Sequence, residues 1–408
     1  MLKKISSTFN EYPQSFKVLA AATFIDRVGG TMIQPFYSLY IAQKFGVNMT
    51  TIGLLFGIWA ISGVVGNMLG GALTDKIGRK TMLVAGLVLS ATSAILMGIV
   101  NNLMAFALIS TVVGLLSDIA GPARGAMTTD MLPAEKRAEG FGIIRVVGNL
   151  AWIVGPALGG LLATKSYMLV FICDAVASII TALIVIWKIP ETKPQATEEA
   201  EKETLLQTFK GYSQVTSDKL FMAYVIISML LIFVYSQMYS TLSVYLNQQH
   251  AIPAKGYGWL MSMNAILVVL FQFSVTRSTK KKPPMHMMAL ATLLYGIGFS
   301  MIGFVDQYWM FMVAMAIITL GEMVHIPTSS GLIANLAPED KRGRYNAFAN
   351  LSWGVPNIFS TFFAGLVMDN LNPNLVWTIA GIICLVTLFG YLLMNQHVQK
   401  RLEPITQE

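Results

Sequence analysis

Twelve apolar stretches, each long enough to cross a bilayer, follow one another along this chain of 408 residues. A bilayer core about 30 Å thick accommodates helices of about 20 predominantly apolar residues. Polar or charged residues separate the stretches, which lie near residues 16–44, 51–73, 81–100, 103–129, 140–164, 167–188, 220–247, 256–276, 285–305, 308–332, 345–369 and 374–396. The sequence therefore predicts an all-α membrane protein with twelve transmembrane helices.

The composition excludes a soluble fold. Hydrophobic residues make up 55% of the chain and charged residues 12%, against roughly 25% charged in an average soluble protein. The net charge of +7 could suggest nucleic-acid binding. Such binding needs basic residues gathered on one water-facing surface, whereas here they lie between apolar stretches, so no nucleic-acid partner is expected.

The sequence offers no motif for an enzyme, a metal or a cofactor. It contains no phosphate-binding loop, no HExxH and no GxSxG, so neither ATP hydrolysis nor hydrolytic catalysis is expected. Cys173 and Cys384 lie inside apolar stretches and lack metal-site spacing. An ion gradient, taken to be a proton gradient, is the expected energy source.

The chain divides into two similar halves. The polar stretch Pro190 to Asp218 predicts a linker, with six-helix bundles at 1–189 and 219–408. The halves repeat at an offset of 205 residues: Ser38, Tyr40, Gln43 and Gly53 recur as Ser243, Tyr245, Gln248 and Gly258, and Pro122, Pro133, Lys136, Arg137, Gly160 and Leu161 recur as Pro327, Pro338, Lys341, Arg342, Gly365 and Leu366. Parallel repeats of this kind are typical of transporters with a site near the bilayer midplane.

The basic residues predict the orientation, because positively charged loops stay on the cytoplasmic side. With both termini inside, twenty-two of the twenty-eight Lys and Arg residues fall on that side. The first apolar stretch lacks a cleavage site and is too long for a signal-peptide core, so we expect it to be the first span. The sequence therefore predicts a multi-pass protein of the cell (inner) membrane.

The loop after the second apolar stretch carries a ten-residue motif, Gly71-Ala-Leu-Thr-Asp75-Lys-Ile-Gly78-Arg79-Lys80. It resembles the motif G-x-L-x-D-R-x-G-R-K of the major facilitator superfamily, except that Lys76 replaces an arginine. The resemblance implies a twelve-helix fold of two pseudo-symmetric bundles. It also implies a gate in which Asp75, Arg79 and Asp130 form a charge cluster. Loop charge that merely sets the topology is the alternative.

A second motif lies in the fifth stretch, where Gly142, Gly155, Pro156, Gly159 and Gly160 occur. It is similar to the signature of the drug/proton antiporter branch, the twelve-helix multidrug exporters, with Ala151 in place of one glycine. Close helix packing is the alternative explanation. The arginine motif of the fourth helix of these antiporters is missing, since Ser110 to Gly114 stands there, and Asp118 lies two turns further on.

Ionisable residues inside the apolar stretches are expected to be functional, because burying one costs at least about 2.5 kcal/mol without partners or water. Asp26 and Glu322 lie near the middle of their stretches. The sequence around Glu322 resembles the tenth helix of a lactococcal-type multidrug/proton antiporter, which implies a protonation and drug-contact site. A static ion pair, for example Asp26 with Arg27 or Asp118 with Arg145, is the alternative.

Polar and aromatic residues at helical spacing predict a wet cavity, since lipid would reject such faces. The residues expected to line the cavity or couple protons are Asp26, Arg27, Gln34, Asp118, Arg145, Asn149, Trp152, Tyr235, Tyr239, Glu322, His325, Asn350, Trp353 and Asn357.

We therefore expect a monomeric secondary transporter that works by alternating access and exports lipophilic cations in exchange for protons. Its partners would be a small-molecule substrate, protons and the lipid bilayer. Proton-linked transport of a small metabolite or organic anion, bound by Arg27, Arg124 or Arg145, is the alternative within transport. A non-transporting sensor or scaffold and a membrane enzyme are the alternatives outside it.

Overall fold

The computed structural model of the protein describes residues 11–117, 120–192, 215–338 and 342–402. In these residues the regular structure is helical, and no strand occurs. The helices are α1 Gln14–Ile33, α2 Tyr37–Phe45, α3 Met49–Ile77, α4 Arg79–Ile99, α5 Leu103–Ser117, α6 Ala120–Asp130, α7 Ala134–Ala163, α8 Tyr167–Lys188, α9 Lys219–Tyr235, α10 Gln237–Ser240, α11 Leu242–His250, α12 Ala254–Thr279, α13 Pro284–Ile302, α14 Tyr308–Leu336, α15 Arg342–Ala349, α16 Leu351–Asn370 and α17 Leu375–Leu402.

All twelve predicted stretches are helical. Among the described residues, ten helical segments are long and apolar enough to cross a membrane. The first and fourth stretches complete the predicted twelve. The first is divided by a 3-10 turn at Gln34–Phe36, where Pro35 cannot continue the α-helical hydrogen bonding. The fourth is formed by α5 and α6, and residues 118–119 between them lie outside the described residues.

The helices pack into two compact units. The first comprises Met1–Val47, Leu55–Thr197 and Leu246–Ala265, and the second comprises Asn48–Leu54, Glu198–Tyr245 and Ile266–Glu408. The predicted bundles 1–189 and 219–408 correspond to most of these units. The start of α3 belongs to the second unit, and the segment from the end of α11 into α12 belongs to the first. Residues 193–214 of the predicted linker lie outside the described residues.

The same helix pairs pack in both units. In the first, α1 contacts α7 and α8, and α4 contacts α5 and α8. In the second, the equivalent helices make the equivalent contacts: α9 with α16 and α17, and α13 with α14 and α17. The sequence repeat also extends to hydrogen bonds, because Tyr40 donates to the carbonyl of Met97 and Tyr245 donates to that of Ile302, 205 residues further on.

The glycines of the antiporter-like motif bring α7 against α1. A Cβ atom on Gly155 would overlap the hydroxyl of Thr31, and one on Gly159 would overlap the carbonyl oxygen of Met32. Thr31 Oγ1 also donates to the carbonyl of Ala151 at 3.1 Å. The motif thus acts at least as a packing surface, in which the small side chains let two backbones meet.

Asp218 makes an ion pair and hydrogen bonds that connect three helices of the second unit. Both carboxylate oxygens of Asp218 bind Arg401, with Nη1 at 2.8 Å and Nη2 at 2.7 Å. Tyr345 donates to Oδ2 at 2.8 Å, and the amide of Phe221 donates to Oδ1 at 3.1 Å. Burial alone would raise the pKa of Asp218, but these hydrogen bonds hold it below its usual range. One carboxylate therefore joins α9, α15 and α17.

We predict that Gly159→Ala destabilises the protein by about 1–3 kcal/mol, the cost of overpacking a tight contact. Gly148→Ala on the same helix is the matched control, since a Cβ there meets nothing within 4 Å. Thermal unfolding in detergent, followed by tryptophan fluorescence, should show a lower Tm for Gly159→Ala alone. Equal Tm values for the two variants would contradict the close approach of α1 and α7.

We also predict that Asp218→Asn lowers stability at pH 7 by about 1 kcal/mol, the scale of a partly exposed ion pair. Asparagine still caps a helix N-terminus, so the change isolates the loss of charge. Because the pKa of Asp218 is lowered in the folded protein, its stabilisation is present above the unfolded value of about 3.9 and is lost below the folded one. The Tm difference from wild type should persist from pH 7 to 5 and close only at more acidic pH. A difference that closed between pH 7 and 5 would contradict the depressed pKa.

Candidate functional site

The first unit holds an ion pair inside its apolar body. Asp26 of α1 binds Arg124 of α6 through Oδ2 and Nη2 at 2.7 Å, with side chains 16% and 15% exposed. Ser178 of α8 donates to the other oxygen of Asp26 at 3.3 Å. The sequence analysis considered an ion pair of Asp26 with Arg27. Asp26 does form an ion pair, but its partner is Arg124 on another helix, not Arg27.

A second carboxyl lies beside this pair. Asp174 of α8 is one helical turn before Ser178, and the residue is 8% exposed. Its Oδ1 lies against Gly29 of α1, where a Cβ atom would be 2.9 Å away. Glycine at this position therefore leaves the space that the carboxyl occupies.

Most of the other candidates in the first unit lie on its surface. Arg27, Gln34, Arg145 and Asn149 are exposed, and Trp152 is half-buried. Polar side chains exposed in the middle of a span are unfavourable against lipid. Asp118 lies outside the described residues.

The second unit holds a buried carboxyl in aromatic surroundings. Glu322 of α14 is 9% exposed, and Tyr235, Tyr239 and Tyr295 lie within its electrostatic reach. The hydroxyls of Tyr235 and Tyr239 share a hydrogen bond of 3.1 Å. The structure thus brings together three of the predicted residues, Glu322, Tyr235 and Tyr239, which come from different helices.

Tyr235 is the centre of the aromatic cluster around this acid. Its ring centroid lies 5.7 Å from that of Tyr239, 5.6 Å from that of Tyr295 and 5.8 Å from that of Trp353. The ring of His325 lies 6.0 Å from Tyr295. In the described part of the chain, neither His325 Nε2 nor the Tyr295 hydroxyl has a hydrogen-bond partner. Polar atoms therefore remain available for a ligand or water beside Glu322.

The remaining predicted residues of the second unit lie on the same side of α16 or at its start. Trp353 is 38% exposed, and Asn350 and Asn357 are exposed as well. Trp353 is the member of this stripe that reaches the aromatic cluster.

The loop motif forms a charge cluster. Arg79 Nε lies 2.9 Å from Asp130 Oδ2, and the gating role of this pair stays a prediction. Gly78 has a φ of +119°, which favours glycine. Lys80 Nζ donates to the carbonyl of Ile186 at 2.7 Å. The surroundings of Gly71 and the side chain of Asp75 lie outside what the structure describes.

Glu191, just beyond α8, is a member of this cluster that the sequence analysis missed. Its Oε1 accepts from the backbone amides of Arg79 at 2.9 Å and Lys80 at 3.2 Å. A carboxylate at a helix N-terminus satisfies unpaired amides and favours the helix dipole. Glu191 thereby fixes the start of α4, the helix that presents Arg79 to Asp130.

In the rest of the antiporter-like motif on α7, some residues pack against neighbouring backbone and one does not. Gly160 packs against the backbone of Ala254 and Lys255, and the carbonyl of Pro156 lies close to Gly258. Gly142, in contrast, has nothing within 4 Å of a built Cβ. The structure accounts for four of the five motif residues by helix contacts.

Other missed residues are Tyr295, Ser178 and the partnership of Arg124. Tyr295 lies in an apolar stretch, where Thr292 is its polar neighbour at helical spacing. Arg124 was recognised as an intramembrane arginine, but only the packing of α6 near α1 shows its partner. The spacing of Asp174 and Ser178, four residues apart on one helix, was a signal that the sequence did contain.

Comparison with known proteins shows to which family the chain belongs. The sequence model of the Major Facilitator Superfamily matches residues 19–359 and 246–407. The chain belongs to this superfamily. An uncharacterized MFS-type transporter of Bacillus subtilis (strain 168) is 30% identical over 398 residues, which cover 96% of this chain and 98% of the relative. A Na(+), Li(+), K(+)/H(+) antiporter of Planococcus maritimus is 27% identical over 85% of this chain and 87% of the relative.

A more distant relative and a solved structure are also similar to the chain, the latter in fold alone. A multidrug resistance protein, MdtH, of Salmonella newport (strain SL254) is 23% identical over 92% of this chain and 94% of the relative. Among solved structures, the nucleoside transporter NupG has a TM-score of 0.77, with 16% identity over 94% of this chain and 99% of that one. This major facilitator protein is therefore a multi-pass membrane transporter.

We predict that Glu191→Ala loosens the start of α4 in this transporter. Losing an N-terminal cap costs about 0.5–2 kcal/mol, so the amides of the first turn should exchange hydrogen for deuterium about 2- to 30-fold faster. Thr192→Ala is the matched control, because Thr192 contacts Asp130 at 3.2 Å while its side chain leaves the α4 amides untouched. Unchanged exchange in Glu191→Ala, or equal acceleration in both variants, would contradict the capping role.

Proposed function

We propose that this protein is a proton-coupled antiporter that exports lipophilic cations by alternating access. Glu322 is the carboxyl that carries either the proton or the cation. The observation that supports this proposal is the burial of Glu322 beside the rings of Tyr235, Tyr239 and Tyr295. A carboxylate near aromatic rings is suited to an organic cation, because the negative charge and the ring quadrupoles both attract such a cation.

Protonation supplies the coupling. A proton on Glu322 removes its negative charge, which weakens its hold on a cation and lowers the cost of keeping the carboxyl out of water. Cation release and proton binding on one side, followed by proton release and cation binding on the other, form one exchange cycle. Cation and proton therefore compete for one group, as an antiporter requires.

The two clusters differ in their suitability for a cation. Asp26 is held by the guanidinium of Arg124 at 2.7 Å, so its charge is already compensated. Glu322 lies within electrostatic reach of Tyr235, Tyr239 and Tyr295, whose rings can attract an organic cation. These aromatic rings favour Glu322 over Asp26, which the sequence alone left as equal candidates.

The relatives fit an exchange of cations for protons. The Planococcus protein is named an antiporter of sodium, lithium and potassium ions with protons, and the Salmonella protein is named for multidrug resistance. The proposed substrate class joins these two, since it is both cationic and drug-like. The basic residues of the loops support a cytoplasmic-membrane protein with both termini inside.

Anion transport is a second candidate on one observation. Arg145 is exposed although it lies within a span, where a charge needs water or a bound anion. Binding assays with a lipophilic cation and with an organic anion, repeated in Arg145→Ala, separate the two functions. Loss of anion binding, together with no cation binding in the wild type, would overturn the cation proposal.

We predict that Glu322→Gln abolishes proton-driven uptake of ethidium into everted membrane vesicles, because glutamine neither binds a proton nor attracts the cation. Glu11→Gln is the matched control, since Glu11 is 64% exposed and pairs with Lys136. It should transport normally. Undiminished ethidium transport by Glu322→Gln would refute the assigned role of this residue.

A further inference from the structure

The proposed cycle does not use Asp174, a carboxyl buried in the first unit. It lies on α8 about seven residues from the start of that helix at Tyr167, or about 10 Å along the axis at 1.5 Å per residue. In the described residues it takes part in no hydrogen bond and no ion pair, and it is only 8% exposed. A carboxylate in that position would lack the partners that a buried charge requires.

In the described part of the chain, Arg124 is the one cation that pairs with either Asp174 or Asp26. Asp174 lies close to Asp26, because its Oδ1 lies against Gly29, one turn after Asp26, and Ser178, one turn after Asp174, hydrogen-bonds to Asp26. The guanidinium of Arg124 already binds Asp26 at 2.7 Å, and the hydroxyl of Ser178 also donates to Asp26. When two carboxyls share a buried site with a single positive charge, one of them holds a proton.

The helices packed against α8 bring few other charges. The ionisable groups of α1 are Lys17, near its start, and Asp26 and Arg27. Tyr37 of α2 lies within electrostatic reach of Asp174. The exposed Arg145 is the ionisable residue within the span of α7, whereas α4 has none beyond Arg79 and Lys80 at its start. Among these groups, Arg124 is therefore the cation that forms an ion pair beside the two acids.

We infer that Asp174 is a second proton-binding carboxyl, coupled to the Asp26–Arg124 pair and separate from Glu322. While Arg124 binds Asp26, Asp174 is neutral and holds the proton on its carboxyl oxygen. When Asp174 releases that proton, its carboxylate competes with Asp26 for Arg124. Loss of one proton thus weakens the contact between α1 and α6 and draws Arg124 toward α8.

This inference rests on proton coupling in the proposed function, but its test needs no transport. Infrared spectra of the purified protein in lipid nanodiscs report the C=O stretch of protonated carboxyl groups. We expect wild type at pH 7 to show such a band that is absent in Asp174→Asn. Glu322→Gln should retain this band, so failure of the Glu322 proposal and failure of this one are distinguishable.

A second variant covers the case in which Asp174→Asn does not fold. Asp26→Asn leaves Arg124 without its carboxylate, so Arg124 becomes available to Asp174, and the protonated-carboxyl band at pH 7 should disappear. Ser178→Ala is the control that perturbs Asp26 without removing an acid and should keep the band. A band unchanged in both aspartate variants, or no such band in wild type, would overturn the inference.

Discussion

The cost of placing a charge in hydrocarbon governs this structure. The ionisable side chains that the structure describes within spans fall into three groups. Some have a charged partner, and some lie among polar and aromatic groups. Others reach the surface of their unit, where contact with lipid would be unfavourable. Asp26 and Arg124 satisfy each other across two helices. Glu322 and Asp174 are carboxyls buried inside their units, 9% and 8% exposed. The same constraint that makes such residues rare makes them suited to binding and releasing protons.

Much of the fold could be predicted from the sequence because its signals are one-dimensional. Apolar length predicts the spans, and the offset of 205 residues predicts that the two units pack alike. Hydrogen bonds at equivalent positions, such as those of Tyr40 and Tyr245, follow from that repeat. Breaks inside spans were not predicted, although Pro35 is a local reason for the first of them. Hydrophobicity alone does not register a turn in the middle of an apolar stretch.

The candidate sites were only partly predictable. The sequence identified the acids, since a charge in an apolar stretch is conspicuous. It did not identify their neighbours, because Arg124, Tyr295 and Ser178 reach the acids from distant helices whose rotation about their axes is set by packing. Gly29 is a related case. Its lack of a side chain, unremarkable in the sequence, gives Asp174 its space.

The attachment of Glu191 to α4 has a mechanical consequence. Glu191 and Thr192 end the described part of the first unit before the segment that joins the halves, and both hydrogen-bond to the charge cluster of Arg79 and Asp130. Glu191 accepts from the amide of Arg79, and Thr192 donates to the carboxylate that pairs with the Arg79 side chain. Displacing these two neighbouring residues would therefore disturb both partners of the Arg79–Asp130 ion pair at once.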